Sequence, residues 1–96
     1  MFFRRKKAID RVIFTKMNEE TDVYDLANGL LKGKPIVVNF EEYNAIEANK
    51  IITFLSGVTY AIDGEIEVIQ RFIFLFATKD DYKDGSLRKF VEEYKE

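Results

Sequence analysis

The chain has 96 residues, enough for one domain and short of two, and its 47% apolar and 33% charged content is that of a folded globular protein. It has no cysteine and no histidine, which excludes a disulfide framework, a thiolate site, and the commonest zinc ligand and general base. The formal net charge of −2 divides unevenly: residues 1–17 sum to +5 and the remainder to −7, a basic head on an acidic body. This pattern assigns an anionic partner to the head alone and argues against nucleic acid as the main partner.

Met1-Phe2-Phe3 followed by Arg4-Arg5-Lys6-Lys7 lacks the apolar core of a secretory signal, and no apolar run approaches the ~20 residues of a membrane span. A cytoplasmic protein is expected. Residues 1–10 read as a short basic and aromatic segment. In one reading Phe2 and Phe3 insert at a headgroup boundary while Arg4, Arg5, Lys6 and Lys7 attract anionic lipid, giving a weak peripheral anchor. In the other it is a disordered basic leader.

Residues 11–96 read as one folded domain. Arg11 to Met17 is β-branched and aromatic, as a strand is, and Asn18 to Thr21 forms a polar loop. Asp22 caps a helix whose Val23, Leu26, Ala27 and Leu30 make one apolar stripe, with Gly33 and Pro35 ending it. Ile36-Val37-Val38 is a short buried strand. Asn44 and Glu47 have capping-box spacing for a second helix, for which Gly57 is the expected stop. Val58 to Ile62 is then a strand, Asp63-Gly64 a hairpin turn, and Glu65 to Val68 an alternating strand. Phe72 to Ala77 is the last strand, Lys79 to Gly85 a charged loop, and Ser86 the cap of a final helix carrying Leu87, Phe90, Val91 and Tyr94. The order β-α-β-α-β-β-β-α predicts a small two-layer α/β sandwich: a mixed five-stranded sheet with two helices on one face, plus a C-terminal helix.

Two features exceed what a monomer needs. On the last strand Phe72, Phe74 and Phe76 face one way and Ile73, Leu75 and Ala77 the other, so both sheet faces need cover. A dimer built on the phenylalanine face is the expectation, with ordinary core as the plain alternative. On the second helix Ala45, Ala48, Ile51, Ile52 and Leu55 form the core stripe, while Ile46 and Phe54 flank Lys50 away from it. Scattered surface apolars are common, but the arrangement also suits a groove for a short peptide with apolar anchors and an acid.

The run from Phe54 to Ile66, Phe-Leu-Ser-Gly-Val-Thr-Tyr-Ala-Ile-Asp-Gly-Glu-Ile, closely resembles the central motif of the SepF family. Ile36-Val37-Val38-Asn39 resembles the strand before that family's long helix, and Phe72-Ile73-Phe74-Leu75 its final Ile-Phe-Leu strand. The resemblance covers about Arg11 to Thr78. It implies a dimeric, non-enzymatic adaptor at the division site that binds the C-terminal peptide of FtsZ and contacts the membrane peripherally. It also implies FtsZ binding at Ala48 and Phe74 and self-association involving Gly57 and Gly64; the reading of the residues adds Lys50 and Phe54 to the border of the peptide site and Phe72 and Phe76 to the self-association face. Whether dimers polymerise stays open. Four departures stand out: few residues precede the domain, Gln70 replaces a frequent glycine, Lys79 replaces a frequent proline, and the amphipathic C-terminal helix, Ser86 to Lys95, is more than the shortest members show.

The residues alone leave alternatives. Gly57 and Gly64 read first as structural glycines, at a helix end and a tight turn. A dimeric α/β module binding a metabolite at its subunit interface shares the same pattern, although Gly29, Gly33, Gly57 and Gly64 form no phosphate-binding motif. Glu65 and Glu67 are the weak case for an enzyme, since any alternating pair shares a strand face. No catalytic residue, metal site or cofactor is expected.

Overall fold

The computed structural model describes residues 6–95. Its elements are a 3-10 turn Ala8–Arg11, β1 Ile13–Lys16, α1 Val23–Leu31, β2 Ile36–Asn39, α2 Ala45–Ala61, β3 Gly64–Gln70, β4 Ile73–Thr78, a second 3-10 turn Asp80–Tyr82, and α3 Ser86–Tyr94. The sheet has four strands in the order β1-β2-β4-β3. β1 runs parallel to β2, and both remaining pairings are antiparallel.

The expected fifth strand, Val58–Ile62, is helix as far as Ala61, with Ile62 as the helix C-cap. Leu55, Val58, Thr59 and Ile62 continue the helical spacing of the inward stripe, so the chain buries more by staying helical than its β-branched residues lose in propensity. The hydroxyls fit as well: Ser56 Oγ donates to the Ile52 carbonyl at 2.6 Å and Thr59 Oγ1 to the Leu55 carbonyl at 2.7 Å. Gly57 therefore sits inside α2, and the stop belongs to Asp63, which takes the left-handed φ of 57° just past the helix end. Asp63-Gly64 joins a helix to a strand. The hairpin is β3–β4, turning through Arg71 and Phe72, with a bulge between Val68 and Gln70.

Asp22 and Asn44 cap α1 and α2 as expected, accepting from the Tyr24 amide at 2.8 Å and the Glu47 amide at 2.9 Å. Ser86 is the first residue of α3 rather than its cap. Asp84 accepts from the Ser86 amide and hydroxyl at 2.8 and 2.6 Å through one carboxyl oxygen, and from the Ala8 amide at 2.8 Å through the other. The Ser86 hydroxyl in turn accepts from the Ile9 amide at 3.1 Å. The 3-10 turn at Ala8 is thereby tied to the start of α3, and Ala8 is buried.

The two faces of β4 divide as the alternation requires. Phe74 and Phe76 pack with Leu26, Leu30, Ala48 and Leu55 of α1 and α2. Leu75 and Ala77 pack with Ala8, Tyr82, Leu87 and Val91. α3 thus forms a third, partial layer on the sheet face opposite α1 and α2, where a two-layer sandwich was expected.

Candidate interaction surfaces

Ala48 lies on the inward face of α2 and is buried in one cluster with the partly buried Phe74. Phe74 meets Phe40 edge-on at 5.8 Å between ring centres, and Phe76 at 6.4 Å. Lys50 follows Ala48 by two residues, about 200° round the helix. It projects into solvent, 3.5 Å from Glu47. Phe54 is 39% exposed and stacks edge-on against Tyr24 of α1 at 5.6 Å. The four residues expected at one peptide groove are therefore split, with Ala48 and Phe74 beneath α2 and Lys50 and Phe54 on its outside.

Beside Phe74 the cover runs out. β3 is an edge strand, and its Val68 and Ile66 stand opposite Phe74 and Phe76 on the same sheet face. α2 does not reach over them: Val68 is 52% and Ile66 37% exposed. These two residues were not expected at a site. Their alternation with Glu65 and Glu67 identified the strand, but not which half faces solvent, because that depends on where α2 and α3 lie. The glutamates face α3, where Arg88 approaches Glu65 at 3.9 Å and Glu67 at 3.8 Å. Burial pushes the Tyr82 phenol on this side well above its ordinary pKa, with Glu67 and Glu65 adding to the shift. Its hydroxyl donates to the Glu65 carbonyl at 3.1 Å.

The residues expected at self-association take three different settings. Phe76 is completely buried beneath α1 and α2, so a second copy cannot touch it, and a dimer face including it is excluded by packing. Phe72 is in the hairpin turn, 43% exposed, with the Arg71 guanidinium 5.1 Å from its ring centre. Gly64 is packed against backbone: a Cβ there would lie 2.6 Å from the Ala77 carbonyl oxygen and 2.9 Å from that of Thr59. Gly57 is the opposite case, with nothing within 4 Å of a Cβ. It lies on the exposed face of α2 with Thr53 and Ala61, near the exposed Phe54 and Tyr60, and the exposed Ile46 lies about three turns away on the same helix.

On the α3 face a groove of about 430 Å³ separates the end of α3 from β1, lined mainly by Phe14, Val37, Ile69, Ile73, Phe90 and Tyr94. Phe14 bridges it, edge-on to Phe90 at 5.6 Å. Lys16 stands at its rim, and its ammonium is held above the ordinary lysine pKa by Glu41, which bonds it at 2.9 Å, and by Glu42. Of the residues expected to contact a membrane, Phe2, Phe3, Arg4 and Arg5 lie outside the described residues, while Lys6 and Lys7 are exposed. Among the described residues no cluster of acidic side chains has metal-binding geometry, and no helix is long and apolar enough to cross a membrane.

A family model described as "Cell division protein SepF" matches residues 12–80. The chain is 38% identical over 84 residues to Cell division protein SepF 2 of Desulforamulus reducens, covering 85% of this chain and 52% of that relative. It is 32% identical over 81 residues to Cell division protein SepF of Caldanaerobacter subterraneus subsp. tengcongensis, covering 84% and 60%. Against the protein of the same name from Limosilactobacillus reuteri it is 41% identical over 66 residues, covering 69% and 48%. The chain thus spans about half to three-fifths of the length of these curated relatives.

Proposed function

The chain belongs to the SepF family of cell-division proteins, and from that premise we propose that it is a non-enzymatic adaptor. It self-associates, holds the C-terminal peptide of FtsZ, and keeps FtsZ filaments at the membrane through a basic N-terminal segment. The single observation that carries the peptide-binding part is the exposed strip of Ile66 and Val68 on the edge strand β3, beside the partly buried Phe74 of β4. Apolar side chains beside a free strand edge suit an extended peptide, with backbone bonds for affinity and alternate side chains for selectivity. Ala48 of α2 belongs to the buried cluster against which the partly buried Phe74 packs.

Self-association is assigned to the outer face of α2. A mid-helix glycine costs about 1 kcal/mol relative to alanine. Gly57 has open space on that face, which supports a reading in which a second helix approaches closely there. Gly64 acts there only through the backbone position that it allows. The test is fluorescence anisotropy with a labelled FtsZ tail peptide, beside light scattering for mass. Binding unchanged in a folded Val68→Glu variant would remove the peptide from this strip. A monomer at tens of micromolar would remove the dimer.

A further inference from the structure

At the end of the sheet where Lys6 and Lys7 lead into the fold, a cleft of about 680 Å³ is lined by Lys6, Lys7, Arg11, Lys32, Lys83 and the side of Thr78, with Asp80, Asp81 and Asp84 on its walls. The acids are already engaged. Asp81 is buried and pairs with Arg11, which also donates to the Gly33 carbonyl. Asp84 is bonded to the Ala8 and Ser86 amides and the Ser86 hydroxyl. Asp80 lies 3.4 Å from Lys83, an exposed contact one helical turn apart. Lys6, Lys7 and Lys32 make no ion pair among the described residues. The cleft therefore carries uncompensated positive charge on a domain whose residues 18–96 sum to −7.

We propose that this cleft is a second membrane contact, built into the folded domain, which seats the phosphate-bearing surface of anionic lipid against Lys32 and Lys83. The proposal rests on the membrane reading given above and adds the folded domain to it. Continuity of charge argues for a lipid surface: the cleft opens beside Lys6 and Lys7, so a bilayer that holds residues 2–7 is already within reach of it. A flat anionic surface also meets several lysines at once, where each contributes little alone. In this orientation the hairpin turn at Arg71 and Phe72, and the C-terminal end of α3, point away from the bilayer, because Thr78 and Asp84 lie at the opposite ends of β4 and α3.

The test is co-sedimentation of the full chain with vesicles containing phosphatidylglycerol and with neutral phosphatidylcholine vesicles. The comparison is between Lys32→Glu/Lys83→Glu and Arg71→Glu/Lys95→Glu, which change net charge equally at opposite ends. The wild type and the Arg71/Lys95 variant are expected to bind the anionic vesicles alike, with binding falling as salt rises. The Lys32/Lys83 variant, folded by circular dichroism, should bind them at least about 30-fold more weakly, as removal of two surface cations predicts. Equal binding by the two variants overturns the cleft and leaves the N-terminal anchor standing. No binding by the wild type overturns both. Inorganic phosphate bound by the wild type in the absence of any vesicle binding would reassign the cleft to a soluble anion and overturn the lipid assignment.

Discussion

A side chain at Gly64 would drive its Cβ to 2.6 Å from the carbonyl oxygen of Ala77, closer than non-bonded atoms approach. The two residues occupy adjacent strands where α2 hands over to β3, and the Thr59 backbone closes the third side. Gly64 is required by this close approach and not by a left-handed turn, since its φ is not positive.

Gly64→Ala is accordingly expected to destabilise the domain by about 1–3 kcal/mol, the usual range for overpacking against atoms that cannot rotate away. For a domain of this size that lowers Tm by roughly 4–8 °C per kcal/mol. Thermal unfolding followed by circular dichroism measures it. Any loss of self-association in this variant should track the loss of fold. An unchanged Tm would mean that the β3–β4 pairing yields at no cost.

Gly57→Ala should act in the opposite sense on the monomer. The added methyl meets nothing, and alanine is favoured over glycine inside a helix by about 1 kcal/mol. Denaturant stability measured at dilution should therefore rise, while light scattering should show weaker self-association if helices meet at this position. A Gly57→Ala protein that is both more stable and equally dimeric would place the interface elsewhere.

The contrast between these glycines shows what was legible in the residues. Both helix caps, the stripe of α1 and the two-faced alternation of β4 depend on neighbours within a few positions, and each was readable locally. Gly57 misled because a glycine after an apolar stretch signals a helix end. The further inward contacts of Val58, Thr59 and Ile62 decided otherwise, and those depend on where the sheet lies. The fifth strand was lost for the same reason. In the candidate site Phe74 was identifiable from its strand and from family resemblance. Ile66 and Val68 were not, because their exposure follows from α2 stopping short of an edge strand. Lys50 and Phe54 came from the helical spacing of the outer face of the second helix and Ala48 from the family resemblance, and the two sources point to opposite sides of one helix, since two residues along it turn a side chain by about 200°.

Asp84 makes a prediction for pH. Its carboxyl is held down to about 2, first by the Ser86 hydroxyl and then by the Ala8 and Ser86 amides. A carboxyl depressed in the fold stabilises fully above its unfolded value near 3.8, and that contribution fades as pH falls toward 2. Asp84→Asn should thus be less stable than the wild type at neutral pH, and the difference should close as the solution is acidified through this window. Urea unfolding at a series of pH values measures it. Curves that stay parallel down to pH ~2 would show that Asp84 is not linked to folding.

The last prediction separates the two groupings of the peptide site. Val68 is half-exposed on an edge strand, so Val68→Glu should cost the fold less than about 1 kcal/mol, as most surface substitutions do. If the FtsZ tail lies on the strip, a charge there must be desolvated against the peptide's apolar anchors, and affinity should fall by about tenfold or more. Lys50→Ala lies on the outer side of α2 and should bind the peptide within about twofold of the wild type. Ala48→Val is a less clean test: Ala48 is buried against the sheet, and an added branch costs about 1–3 kcal/mol of packing before any peptide arrives. Phe74→Ala carries the same ambiguity at about 3–5 kcal/mol. Anisotropy titrations of Val68→Glu and Lys50→Ala, each checked for a native circular dichroism spectrum, therefore decide the matter. Loss in the first with retention in the second places the peptide on the sheet edge, and the reverse result restores the outer face of α2 as its seat.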